Sequence, residues 1–112
     1  MYEYCAKLLK GIDGDSVEAQ IDLGFYIYTT KRIRLVNIDA PETRTKDRLE
    51  KIAGKRAKDR LIDIFKQNND HFIFKSHGIG KFGRCLGEIF IKNKSVSDIL
   101  LSEGLVKKYK DR

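Results

Sequence analysis

The chain has 112 residues, 23 Lys+Arg against 16 Asp+Glu, a formal charge of +7 and 41% hydrophobic residues. That supports one domain over residues 1–112, burying somewhat more than ~60% of its unfolded surface, and it excludes wholesale disorder, collagen-like sequence and repeats. No apolar run approaches the ~20 residues of a membrane-spanning helix, and the basic excess points to a polyanion, nucleic acid before an acidic membrane surface.

The opening Met-Tyr-Glu-Tyr-Cys-Ala-Lys carries a charge and no apolar h-region, so no signal peptide is visible. Cys5 and Cys85 lack zinc-site spacing and read as free thiols of a reducing compartment. A cytoplasmic location is expected, with secretion left open for a processed or trimmed chain. Residues 2–12 alternate loosely and end at the turn dipeptide Asp13-Gly14. Ser16–Leu23 alternates strictly, with Val17, Ala19, Ile21 and Leu23 on one side, as a half-buried strand does. Gly24 interrupts the pattern, and Phe25–Ile38 reads as a third strand that Pro41 ends.

From about Asp47 to Gln67 the period changes to three or four. Leu49, Ile52, Ala53, Ala57, Leu61, Ile64 and Phe65 define an amphipathic helix. Gly54 inside it costs about 1 kcal/mol against Ala, which predicts a packing reason for it. His71–Ser76 is a fourth strand, Gly78–Gly83 a glycine-rich loop and Cys85–Ile91 a fifth strand. A short helix follows, from Ser95 as N-cap to Gly104. Three strands, a helix, a returning hairpin and a helix predict a mixed α+β, mainly β fold: a five-stranded Greek-key OB-fold barrel with two helices.

Four segments carry candidate chemistry. Asp13-Gly14-Asp15-Ser16 is a hairpin turn on its face, and an EF-hand is excluded for want of the oxygen-ligand series. Asp15 nevertheless shares parity with Val17, Ala19 and Ile21, so it extends the apolar face to the barrel rim, where a carboxylate needs a cation or several donors. In Ile38-Asp39-Ala40-Pro41-Glu42-Thr43, Asp39 likewise extends the face of Ile33 and Leu35, so both carboxylates could meet at one hard cation. Arg34, read alone, is an exposed strand residue; sharing a site with Asp39 requires the strand to bulge or end between them. Gly80-Lys81-Phe82-Gly83-Arg84 is a flexible hairpin loop with an arginine, and no Walker motif accompanies it.

Taken together, Asp-Gly-Asp-Ser at 13–16, Arg-Leu-x-x-x-Asp-x-Pro-Glu-Thr at 34–43, Phe-Gly-Arg at 82–84 and Val-Ser-Asp-x-Leu-Leu-x-x-Gly-Leu-Val at 96–106 resemble the staphylococcal nuclease (thermonuclease) family. The resemblance runs from about Ala6 to Tyr109. It implies that Asp15, Asp39 and the carbonyl of Ala40 hold Ca2+, that Glu42 handles the attacking water, and that Arg34 and Arg84 grip the phosphate. Lys81 and Phe82 fall where the family contacts substrate, and Tyr109 is the aromatic left for stacking on a nucleotide. Three departures stand out: Ala40 where Thr is common, Gly80 where Asp is common, and Arg56 where the family often carries Glu. The sequence also stops at Arg112, where better-known members continue into another helix.

The resemblance implies a Ca2+-dependent phosphodiesterase, monomeric and without membrane attachment. It would act on single-stranded or frayed DNA and RNA with little sequence preference, cleaving the 5′ P–O bond to leave 3′-phosphate ends. Lys46, Lys51, Lys55, Arg56, Lys58 and Arg60, with the tail Lys107, Lys108 and Lys110, would attract the backbone, although most of these charges read better as a solvated face. The alternative is a non-catalytic OB-fold module that binds single strands. Against it, Asp15, Arg34, Asp39, Glu42 and Arg84 are all present. A membrane-surface protein has no amphipathic anchor in its favour.

Overall fold

The structure is a computed structural model, and it describes residues 2–80 and 83–109. Five long strands and two helices form it: β1 Glu3–Asp13, β2 Ser16–Asp22, β3 Tyr28–Leu35, α1 Arg48–Lys66, β5 His71–Ile79, β6 Cys85–Ile91 and α2 Val96–Ser102. Three two-residue strands, β4 Ile38–Asp39, β7 Lys94–Ser95 and β8 Lys107–Lys108, complete them.

Sheet order is β3-β2-β1-β5-β6-β7, and a parallel pairing of β3 with β6 closes β1, β2, β3, β5 and β6 into the barrel that the sequence predicts. The closure is short, running from Ile33 opposite Cys85 to Leu35 opposite Gly87. Gly87 is required there, because a Cβ would overlap the Lys75 carbonyl oxygen and the Phe74 ring. β2 buries every second residue, as its alternation demands, and Val17, Ala19 and Ile21 meet Ile33, Phe74, Ile89 and Leu100 in the core.

α1 covers one end of the barrel. Asp47 caps it, its carboxylate accepting the N–H groups of Leu49 (3.0 Å) and Glu50 (3.3 Å). Its buried stripe is Gly54, Ala57, Leu61, Ile64 and Phe65, and Phe65 meets Phe72 edge-on at 5.1 Å. Leu49 and Ile52, which the periodicity assigns to the same stripe, are exposed. They precede the point at which the helix reaches the barrel. Ser95 caps α2, and Gly104 takes a left-handed φ of 71° after it, as the sequence predicts.

The segment read as one strand over 25–38 is three pieces. Residues 24–27 form the tip of the β2–β3 hairpin, with φ of 56° at Phe25 and 60° at Tyr26. β3 ends at Leu35, Asn37 turns left-handed at φ 68°, and the chain resumes as β4, which pairs with β8. A strand cannot pass through such residues, whatever their β propensity.

Candidate active site

Asp15 immediately precedes β2, in the turn after β1, and Leu35 N–H donates to its carbonyl at 2.8 Å. Its carboxylate is only 7% exposed for the whole residue, accepts the Ala40 N–H at 2.9 Å and lies 3.3 Å from Arg34 Nη2. Burial pushes the Asp15 carboxyl up from its ordinary value, and the Ala40 N–H, the Arg34 charge and the Ser16 hydroxyl offset that only in part. A buried carboxylate still short of compensation is a place for a cation.

Arg34 is the first correction to a residue-by-residue reading. It is 7% exposed rather than a solvated strand residue. Leu86 is its partner in the barrel closure, and residues 36–37 turn the chain directly after β3. Nη1 donates to the carbonyls of Leu35 and Ile38, the latter at 2.9 Å, while Nη2 lies 3.5 Å from Asp39 Oδ1. The expected break between Arg34 and Asp39 is therefore that turn, and it brings both carboxylates to one guanidinium nitrogen. Asp39 itself stays exposed, its side chain 58% accessible.

Ala40 is buried with its N–H on Asp15, so the main chain at 39–40 is fixed beside both acids. Among the described residues no cluster of three or more His, Cys, Asp or Glu side chains occurs. A cation here would therefore draw on Asp15, Asp39, a main-chain carbonyl and water. That set fits Ca2+, which takes about 6–8 oxygen ligands in loose geometry, better than octahedral Mg2+.

Glu42 is exposed, and no described side chain holds its carboxylate. Its backbone is held firmly instead. Its N–H donates to Glu50 at 3.3 Å, and the next residue, Thr43, donates to Asp13 through its N–H (3.2 Å) and hydroxyl (2.6 Å). Beneath it lies Gly54, where a Cβ would come within 2.5 Å of the Glu42 carbonyl oxygen. That close approach is the packing reason the helix glycine required. Asp13, Glu50 and Gly54 were not singled out as site residues by their sequence. Asp13 shares the Asp-Gly-Asp turn, but only the fold brings it to Thr43.

Arg84 leads into β6, one residue before the register of Ile33 with Cys85 begins. Its carbonyl accepts from Gly80 N–H at 2.7 Å, closing the loop, and its buried Nε has no hydrogen-bond partner among the described residues. A buried guanidinium N–H without an acceptor is costly, and a phosphate oxygen would satisfy it. Lys81 and Phe82 lie outside the described residues. Tyr109 is half-buried, and its N–H donates to Asn37 at 2.9 Å beside the β4–β8 pair, which sets Lys107 opposite Asp39. A cleft of about 580 Å3 opens on the other side of Asp39, between Pro41, Ala53 and Leu105, and neither Arg34 nor Arg84 lines it.

Of the helix charges, Lys55 pairs with Asp59 at 3.1 Å and Arg60 holds Glu103 through two bonds of 2.8 Å. Those two are answered within the molecule, so the solvated-face reading stands for them.

The fold is an OB-fold barrel whose rim sets two carboxylates beside a buried arginine. The family model described as staphylococcal nuclease homologue matches residues 32–112, and the chain belongs to that family. It is also 29% identical over 101 residues to endonuclease YncB of Bacillus subtilis (strain 168), a match covering 88% of this chain and 44% of that protein. The chain thus spans less than half the length of that relative.

Proposed function

We propose that this domain is a calcium-dependent phosphodiesterase that hydrolyses single-stranded or frayed DNA and RNA with little sequence preference and leaves 3′-phosphate ends. The observation that carries the reading is the meeting of Asp15 and Asp39 at Arg34 Nη2, with Arg84 leading into the neighbouring strand β6 and its Nε without an acceptor among the described residues. Asp15, Asp39 and the Ala40 carbonyl would hold the cation, whose chemistry is to polarise a phosphate and orient water.

The chain's own residues do the rest. Two carbonyls hold Nη1 of Arg34 and two carboxylates flank its Nη2, so its positive charge is fixed in place before charge builds on the phosphate. Arg84 offers a second planar donor set of the kind that matches phosphate oxygens. Glu42, exposed on a loop pinned by Asp13, Glu50 and Gly54, positions water or takes its proton. Burial of Asp15 excludes solvent from one side of the site and strengthens each of these charges.

The test is cleavage of plasmid and of short oligonucleotides with Ca2+ and with chelator. Activity is expected with Ca2+ and not in chelator, with Mg2+ a poor substitute. Full turnover in excess chelator overturns the metal assignment. Glu42→Gln keeps the shape and removes the base, so kcat should fall by about 10²–10⁴-fold. Wild-type kcat in that variant moves the water-handling role elsewhere, and binding without cleavage favours the OB-fold binding module.

A further inference from the structure

The β2–β3 hairpin ends in a tip that the fold does not need. Gly24 to Ile27 makes a tight turn: Ile27 N–H donates to the Gly24 carbonyl at 2.9 Å, Leu23 N–H to the Ile27 carbonyl at 2.8 Å, and Gly24 N–H to the Asp22 carboxylate at 2.8 Å. Both central residues are left-handed, the geometry for which hairpins favour Asn-Gly. Here they are Phe25 and Tyr26, each 94% exposed, with Ile27 and Tyr28 more than half exposed beside them. Local backbone preference and solvation both oppose two aromatic rings at this spot. Residues that break local rules with no packing return mark functional sites.

The ground between the tip and the rim is basic. From Tyr26 at the tip to Arg32 on β3 the chain covers at most about 20 Å at ~3.3 Å per residue. Along it stand Lys31 and Arg32, and Arg84 is level with Arg32 at the start of the β3–β6 register. Lys31 is close enough to Cys85 for its charge to act on the thiol. Opposite Lys31 in the β2 register is Ala19; opposite Arg32 is Glu18. Neither Lys31 nor Arg32 forms an ion pair among the described residues. Lys31 and Arg32 lie on opposite faces of β3, and Arg84 shares the Arg32 side; cations beside exposed aromatic faces are what a single strand requires, charge for its phosphates and rings for its bases.

We propose that Phe25 and Tyr26 form a stacking platform for single-stranded nucleic acid, fed past Arg32 from the phosphate at Arg84. The platform rests on the nucleic-acid reading of the site and extends it. It makes affinity depend on strand length, because only a strand that spans about 20 Å reaches both ends.

The experiment is fluorescence anisotropy in chelator, so that the strand survives, with oligonucleotides of about 2 and about 15 nucleotides. It compares the wild-type chain with the double variant Phe25→Asn, Tyr26→Gly, whose residues suit the turn. The variant should unfold at the same or a higher temperature than wild type. Its Kd for the long strand should be about 10- to 100-fold weaker, from stacking worth about 1–3 kcal/mol per base, and its Kd for the short strand should be nearly unchanged. An unchanged Kd for the long strand overturns the platform, and so does an equal loss on both lengths. Loss of sedimentation with phosphatidylserine vesicles, with the long-strand Kd unchanged, would assign the tip to a membrane instead. If wild type cleaves with Ca2+ while the variant binds normally, the platform fails and the nuclease reading stands. If wild type binds long strands through the tip and never cleaves, the platform stands and the nuclease reading fails.

Discussion

Asp15 illustrates how the site stores its cost in one residue. Burial disfavours its charge, and the donors around it do not fully compensate, so its folded pKa lies above its ordinary value. A carboxyl raised in this way favours the fold while protonated. That contribution is complete below the unfolded pKa near ~3.9 and is lost as pH rises through the folded pKa. In chelator, Asp15→Asn should therefore gain stability relative to wild type as pH rises from about 3 to 7, with the amide oxygen still able to accept the Ala40 N–H. Thermal unfolding across that range checks it, and a pH-independent difference would contradict it. Added Ca2+ should raise the wild-type Tm and leave the variant's unmoved. Arg84 makes the complementary case. Lys keeps the charge but not the fork, so Arg84→Lys should lower kcat by about 10²–10³-fold while Kd changes little. Weak binding with normal kcat would make Arg84 a generic backbone contact.

Among the elements, α1 does more than cover the barrel. Its small residues let two site segments rest on it: Gly54 meets the carbonyls of Pro41 and Glu42, and Ala57 lies against Gly14, where a Cβ would come within 2.7 Å of the Ala57 methyl. In an ordinary helix, Gly54→Ala would add about 1 kcal/mol of stability. Here the added methyl must push the Glu42 main chain, so the gain should vanish and kcat should fall at nearly constant Kd. Steady-state kinetics beside oligonucleotide binding separates the two effects. A variant that is more stable and fully active would show that the 41–42 segment yields freely. At the far side of the helix, Arg60 ties α1 to Glu103 at the end of α2 and holds that carboxyl below its ordinary value. The tie acts above the carboxylate range and is lost as pH falls through the depressed pKa, so Glu103→Gln should lower Tm slightly at neutral pH and not at about pH 2–3.

For the whole molecule, the barrel closes through three residues of β3 and three of β6, and those same strands bring Arg34 and the approach to Arg84 together. Closure and site assembly are one event. Gly87→Ala should test this, because its methyl meets a carbonyl and an aromatic ring rather than a flexible chain end. The expected loss is about 1–3 kcal/mol in urea unfolding. An unchanged urea midpoint would mean that β5 and β6 can part without cost.

The sequence by itself determined the elements. Strict alternation made β2, the three-to-four period made α1, Ser95 as cap started α2, and the order of strands and helices implied the barrel; these are short-range properties, written in neighbours along the chain. The motif residues were singled out by their resemblance to the family's ordered motifs, since spacing alone leaves Asp15 a turn residue and Arg34 an exposed one. Burial of Arg34 was not legible, since it depends on β6 and on the turn directly after β3. Nor were the support that Asp13, Glu50 and Gly54 give the Glu42 loop, the exposure of Leu49 and Ile52, and the left-handed tip at Phe25 and Tyr26. Each of these depends on what the rest of the molecule brings near a residue or leaves uncovered, and only the closed barrel decides that.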